Sequence, residues 1–373
     1  MNILVKYLGL DPLQNVIACL NYQFDAVIFY AYKDTSRKKN NLYNFLKEKC
    51  GVKSVRFTSL DNREVYSIKN SISKHKNKKN HYYFDLTGCE GVCSALFTEH
   101  CSRYGITAFT YDIYRDVVVD FVKSSRYSLK DVKKRKVKLN VKDVISLSGG
   151  IVRNSIDKPI KSDRELRDYK TIVNFKNGHE SKWASLLSVL QTIQYRKKEN
   201  KYPLPTIDLL TCNGKPLIDE ETLYLLLNEM EKLGLIKKLK LRPVISYKYS
   251  SSFIKQIFDK TGNLFERTVY IKEKKNSDDC ISDVELDWDG IILKDQDKDV
   301  YNEVDVIKLE GYTLTFISCK DTKKIRNEHL YELKSVALRF GGKYCKMKLA
   351  CTSKITDSDI ARAKSMRIDL EKY

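Results

Sequence analysis

The sequence predicts an α/β protein: a mainly parallel, doubly wound sheet domain, then a helical connector, then a second α/β domain. Three observations predict it. Short apolar runs alternate with helix-period segments over residues 1–145. A basic, glycine-broken stretch then ends the alternation, and the last third of the chain returns to helix, strands, helix and strand. The 373 residues suit two or three domains of ordinary size, expected at 1–145, 146–245 and 246–373.

In the first domain Ile3 to Leu8 is a short apolar run ended by Gly9, Asp11 and Pro12. Leu13, Val16, Ile17 and Leu20 share one helical face, and Ala26 to Tyr30 reads as a second buried strand. Leu42 to Lys49 is helical, Val52 to Phe57 a third strand, Tyr82 to Leu86 a fourth, and Val92 to Cys101 the helix after it. Ile106 to Tyr111 and Val117 to Val122 form a closing hairpin. In the connector, Asp163 to Arg196 is helical, with Trp183, Leu186, Leu187 and Leu190 on one face. A helix from Asp219 to Leu233, ended by Gly234 and followed by Leu235 to Leu241, has the pattern of a winged helix. Such a module serves dimer packing as readily as nucleic-acid binding. The third domain is expected to have a helix over Ser251 to Lys272, strands over Val284 to Leu293, Glu303 to Leu309, Thr313 to Cys319 and Met347 to Cys351, and helices over Glu328 to Phe340 and Asp357 to Met366.

Composition narrows the function. Hydrophobic residues make up 42% and charged residues 31%, which excludes wholesale disorder. Lys and Arg number 68 against 48 Asp and Glu, a net +20 that favours a polyanionic partner. The run Lys133-Lys134-Arg135-Lys136 with Lys138 is either a phosphate contact or a solvated segment. No apolar run approaches the ~18 residues of a membrane span, so no membrane partner is expected. Ten cysteines without paired spacing and a strand-like N-terminus suit reduced thiols and a cytoplasmic location. Cys89, Cys93, His100 and Cys101 lack metal-ligand spacing and read as small core residues.

Two constellations carry chemistry. The first is Asp85-Leu86-Thr87-Gly88-Cys89-Glu90-Gly91-Val92, a strand-to-helix turn. In an open α/β sheet, ligands bind beyond the strand C-termini. Gly88 and Gly91 would let a phosphate approach backbone N–H groups at a helix N-terminus, and Thr87 offers a hydroxyl. The turn Gly9-Leu10-Asp11-Pro12 would lie beside it. Neither a dinucleotide fingerprint nor a P-loop is present. A turn that needs glycine for geometry alone is the competing explanation. The second constellation is Asn302-Glu303-Val304-Asp305-Val306 with Ser318-Cys319-Lys320. Alternation puts Glu303 and Asp305 on one strand face, and Ser318 and Lys320 on one face of the next strand. If the strands pair, Asp305 and Lys320 meet at a sheet edge. Carboxylates beside a lysine can hold a divalent ion at a scissile phosphate, with Mg²⁺ or Mn²⁺ the fitting metal, and a surface ion pair is the plainer alternative. Glu266 and Glu332 lie on the helices before and after these strands. Glu285, Asp287 and Asp289 around Trp288 form a fallback ligand set.

In this order the two constellations resemble CRISPR ancillary nucleases that join an N-terminal CARF domain, Rossmann-like in fold, to a C-terminal PD-(D/E)xK, restriction-endonuclease-like domain. The resemblance rests on the Leu86-Thr87-Gly88 element, the helix Gly262 to Glu266, Trp288-Asp289-Gly290, Asn302 to Val306, Ser318-Cys319-Lys320 and the helix ending at Gly342. It implies a homodimer that binds cyclic tetra-adenylate or another cyclic oligoadenylate and is thereby activated for metal-dependent cleavage of DNA or RNA in type III CRISPR defence. It places Thr87, Gly88, Cys89, Glu90, Gly91 and the Gly9, Leu10, Asp11 turn at the ligand. It makes Asp305 and Lys320 catalytic, with Ser318 and Glu303 beside them, and draws the metal ligands from Asp305, Glu266, Glu303 and Glu332. Two departures stand out. The family's second loop glycine is Cys89, followed by Glu90, which would repel a phosphate. The usual Glu-x-Lys is Ser318-Cys319-Lys320, so one acid is missing from its expected place. The alternative is a ligand-responsive nucleic-acid-binding regulator with a degenerate nuclease domain, and a restriction-type nuclease with a purely dimerising N-terminal domain is a third possibility.

Overall fold

The computed structural model describes the chain except residues 33–35, 61–63, 77–78, 125–126, 200–205, 213–214, 289–299 and 323. The expected residues Asp289 and Gly290 therefore lie outside the described residues.

The N-terminal sheet has the order β3-β2-β1-β4-β5-β6. Its strands are β1 (Asn2–Tyr7), β2 (Ala26–Ala31), β3 (Ser54–Ser59), β4 (His81–Asp85), β5 (Thr107–Asp112) and β6 (Val117–Val122). The first five are parallel, and β6 closes the edge antiparallel to β5. The connecting helices are α1 (Pro12–Asn21), α2 (Ser36–Glu48), α3 (Val65–Ile72) and α4 (Gly91–Tyr104). The chain winds outward from β1 through β3, then returns to place β4 on the other side of β1. The C-termini of β1 and β4 thus flank the reversal in strand order, where a crevice opens in a sheet of this kind. Cys93 and Cys101 pack with Phe84 and Phe97 beneath α4, as small hydrophobes do.

Helix α5 (Val141–Leu147) joins the two sheet domains: it packs on α1 and α2 on one side and on the second sheet on the other. One apolar cluster accordingly runs from Leu4 and Phe29 through Val144 and Ile145 to Phe316 and Phe340. The following strand β7 (Ile151–Ile156) pairs with the second sheet, although no strand is evident there in the sequence. Arg153, Asn154 and Ser155 break its apolar pattern because it is an edge strand, half of which faces solvent.

The connector builds its own core. The expected single helix is two, α6 (Asp163–Gly178) and α7 (Glu180–Lys198), separated at His179. A short α8 (Thr206–Leu209) leads to the strand pair β8 (Thr211–Cys212) and β9 (Lys215–Pro216), then α9 (Glu220–Lys232) and the wing-like hairpin β10 (Ile236–Lys240) and β11 (Ser246–Tyr249). The predicted helix over 251–272 is also two, α10 (Ser252–Asp259) and α11 (Asn263–Lys274), because Gly262 turns the chain between them at φ 103°.

The second sheet has the order β16-β15-β14-β13-β12-β7. It contains β12 (Asp279–Asp287), β13 (Tyr301–Glu310), β14 (Thr313–Lys320), β15 (Lys346–Cys351) and β16 (Ile368–Lys372), with α12 (Asn327–Gly341) and α13 (Asp357–Ser365) between its last strands. Strands β7, β12, β13 and β14 run antiparallel, whereas β14, β15 and β16 are parallel. Helix α11 lies across β12, β13 and β14. Among the described residues no helix is long and apolar enough to cross a membrane.

Candidate active site and ligand crevice

The β13–β14 hairpin forms as the sequence predicts, with Val306 opposite Ile317. One residue further along, Asp305 and Ser318 come together: the Ser318 hydroxyl donates to Asp305 Oδ2 at 3.3 Å, and the Cys319 backbone N–H donates to the same oxygen at 2.5 Å. These two donors hold the carboxylate in one orientation. Burial raises the Asp305 pKa, against the Cys319 N–H and the Lys320 ammonium, which lower it. The Lys320 charge thus reaches Asp305, while the direct hydrogen bonds to the carboxylate come from Ser318 and Cys319.

Glu266 stands in the first turn of α11, half-buried, and the bare Gly262 backbone leaves room for its carboxylate. Burial pushes its pKa up to about 8, aided by the charges of Asp305, Asp283 and Glu303, with Lys260 opposing. Four carboxylates from three elements therefore bear on one site. Asp283 is the member that sequence reasoning missed. It lies on β12 between residues paired with Val306 and Val304, hence across from Asp305, and its φ of 48° marks a local kink in the strand. Burial raises its pKa too, with the Arg267 charge opposing. The period-two run Asp283, Glu285, Asp287 is the signal that could have found it, and the fallback set begins two residues too late. Of that set, Glu285 stands directly opposite Glu303 in the β12–β13 ladder and Asp287 is buried. Glu332 is exposed on α12, where its charge and that of Lys320 both reach His329, and the structure does not gather it with the other acids.

Among the described residues, no three His, Cys, Asp or Glu side chains stand close enough together to hold a metal ion as placed. The donor chemistry nevertheless fits a hard divalent cation: the donors are carboxylate oxygens, and neighbouring carboxylates add to the burial that raises Glu266 and Asp305.

In the N-terminal sheet domain the turns after β1 and β4 touch. A Cβ on Gly9 would lie 2.9 Å from the Gly88 carbonyl oxygen, and one on Gly88, at φ +69°, would overlap the Gln14 side chain. Gly88→Ala should therefore destabilise the protein by about 1–3 kcal/mol in a denaturant melt and weaken nucleotide binding in calorimetry. Beneath the turns, buried Lys6 bonds the buried Asp85 at 2.6 Å and also the Gln14 carbonyl. Asp85 accepts the Thr87 N–H at 2.8 Å, and the Thr87 hydroxyl accepts the Tyr111 N–H at 2.7 Å. The Cys89 N–H is bonded to Leu86. Two of the turn's N–H groups are thus committed to holding its shape. Glu90 accepts from the Tyr7 hydroxyl at 3.3 Å, which draws its charge toward the β1 strand end. Gly91 begins α4, and Leu10 is exposed at the crevice mouth.

Asp11, expected at the ligand, is bonded through both carboxylate oxygens. One oxygen caps α1 through Leu13 N–H, and the other accepts the Lys343 N–H at 3.1 Å, from the turn between α12 and β15. Beside it Gln14 donates to the Tyr344 hydroxyl at 2.7 Å, and Tyr114 packs on the Tyr344 ring. Asp11 is a joint between crevice and second sheet, with both oxygens committed.

Residues 258–371, which hold most of the second sheet, match the Card1-like endonuclease domain family. Two solved structures share the fold along the whole chain. Protein VC1899 from Vibrio cholerae is 16% identical with a TM-score of 0.76, over 100% of this chain and 94% of that one. Can2 from Sulfobacillus thermosulfidooxidans, solved in complex with cyclic tetra-adenylate, is 17% identical with a TM-score of 0.66, over 100% and 95%. The chain therefore shares the fold of these two proteins from end to end, and its C-terminal third matches the endonuclease-domain family. No curated protein matches it in sequence.

Proposed function

We propose that this protein is a cyclic-oligoadenylate-gated, metal-dependent nuclease of type III CRISPR defence that acts as a homodimer in the cytoplasm and hydrolyses DNA or RNA phosphodiesters. The observation that carries this is that the charges of Asp305, Asp283 and Glu303 all bear on the half-buried Glu266, and that of Lys320 on Asp305, within the segment that matches the endonuclease-domain family. Asp305, with Glu266, Asp283 and Glu303 as companions, would hold Mg²⁺ or Mn²⁺. The ion, when bound, lowers the pKa of water and offsets charge on the phosphate. The protein's own contribution is positional. Cys319 N–H and Ser318 fix Asp305. The Lys320 ammonium steadies negative charge as it develops on the transferring phosphoryl oxygens. The acid missing from the Glu-x-Lys pattern is supplied from β12 and α11, so Ser318 acts as a hydrogen-bond donor to Asp305 and not as a ligand.

The crevice at β1 and β4 suits cyclic tetra-adenylate, the ligand of the similarly folded Can2, through Gly88, Gly91 and the α4 N-terminus. Ligand can gate cleavage only if it binds one arrangement of the domains better than another. The Asp11–Lys343 and Gln14–Tyr344 contacts offer the route, since Tyr344 leads into β15, which pairs with β14 along Ser318, Cys319 and Lys320. Tyr344→Phe removes one of these bonds. It should reduce ligand stimulation of cleavage several-fold while leaving unstimulated cleavage unchanged, measured on a labelled oligonucleotide with and without cyclic tetra-adenylate. Equal cleavage by the unaltered protein in both conditions would defeat the gating.

A further inference from the structure

We propose that a cavity in the connector, remote from the carboxylate cleft, docks the phosphodiester backbone of a nucleic-acid strand; this rests on the nuclease function proposed above. The cavity, about 430 Å³, opens between the end of α7, strand β11 and the first turn of α10. Lys197 and Lys198 reach it from α7, Lys248 from β11 and Lys255 from α10, and among the described residues no carboxylate lines it. None of the four ammonium groups is in an ion pair among the described residues. Acids stand around the cavity without lining it: Glu199 follows Lys198 at the end of α7, Asp168 accepts from Ser251 at 3.4 Å, and the Asp259 charge reaches Tyr247 and Tyr249.

Four like charges around one concavity repel one another, and no group among the described residues pairs with them. A polyanion would offset them. The floor is rigid: Tyr249 stacks on Phe258 with centroids 5.8 Å apart, its hydroxyl is 3.2 Å from that of Tyr247, and Gln194 donates to it at 2.8 Å. The position fits a strand that continues to the cleft. The eight residues of α10 cover about 12 Å, or three to four stacked nucleotides, before the chain passes Lys260 and enters α11, whose first turn carries Glu266. The Lys260 charge already bears on Glu266 and Asp283, so the lysines form a track from cavity to carboxylates.

The test is the fourfold variant Lys197→Ala, Lys198→Ala, Lys248→Ala, Lys255→Ala in the full chain, with cyclic tetra-adenylate present. Binding of labelled oligothymidylate and oligouridylate, measured by anisotropy in an Asp305→Asn background, should weaken more than tenfold. The slope of log affinity against log salt should fall by about 2–3, near 0.7 for each phosphate no longer neutralised. With Asp305 intact, KM for oligonucleotide cleavage should rise, whereas hydrolysis of bis(p-nitrophenyl) phosphate, too small to span to the cavity, should not change. If the unaltered protein cleaves and the variant keeps its affinity and salt slope, the docking site is wrong and the nuclease stands. A parallel loss on the small substrate would also overturn it, because the lysines would then act on the cleft or the fold. No binding and no cleavage by the unaltered protein would remove both.

Discussion

Asp305→Asn should reduce divalent-ion-dependent cleavage by about a thousandfold or more without unfolding the protein. Asparagine keeps an oxygen to accept the Cys319 N–H and the Ser318 hydroxyl, so the β13–β14 ladder persists while the charge is removed. Asp305→Ala would strand those donors as well, so a comparison of the two separates charge from geometry. Lys320→Ala should cost about a hundred- to a thousandfold, the usual consequence of removing one group that meets developing charge. Single-turnover cleavage, with circular dichroism to verify folding, reads both effects. Full activity in Asp305→Asn would refute the site.

The second large effect is on stability and has the opposite sign. Glu266 ordinarily titrates near 4.5, as it would in the unfolded chain, but burial and three neighbouring acids push it to about 8 in the folded protein. Between these values the folded state holds a proton that the unfolded state has released, so this group makes stability fall as pH rises through that window. The folded-state penalty at about pH 8 is on the order of a few kcal/mol. Glu266→Gln removes it. In the absence of divalent ions the variant should be more stable than the unaltered protein near pH 8 and no different near pH 4, as read by denaturant melts. It should also lose most of its cleavage activity and its stabilisation by Mn²⁺. A variant destabilised at both pH values would mean that Glu266 has a structural partner instead.

The sheet domains were legible because their strands are buried on both faces and read as apolar runs between turn residues: Ala26 to Tyr30, Tyr82 to Leu86, Leu314 to Ile317. The hairpin that joins Asp305 to Ser318 and Lys320 followed from alternation and one Gly311 turn. Three features were not legible. The edge strand Ile151–Ile156 carries no periodicity because solvent takes half of it. The breaks at His179 and Gly262 fall inside unbroken apolar spacing, and packing of the connector decides them. Asp283 enters the site through a left-handed backbone kink that its residue type does not announce. Asp11 shows the same limit in reverse: its place in the turn was evident, but its bond to Lys343, more than three hundred residues away, exists only because α5 brings the two sheets onto one core.

The central claim is that oxygens of Asp305 and its acidic companions gather one divalent ion beside Lys320. A crystal of the active protein soaked in Mn²⁺, with data collected at the manganese absorption edge, tests it most directly. The expected result is an anomalous peak at Asp305 that is shared with Glu266, Asp283 or Glu303. A peak elsewhere in the domain, with Asp305 still bonded only to Ser318 and Cys319, would contradict it.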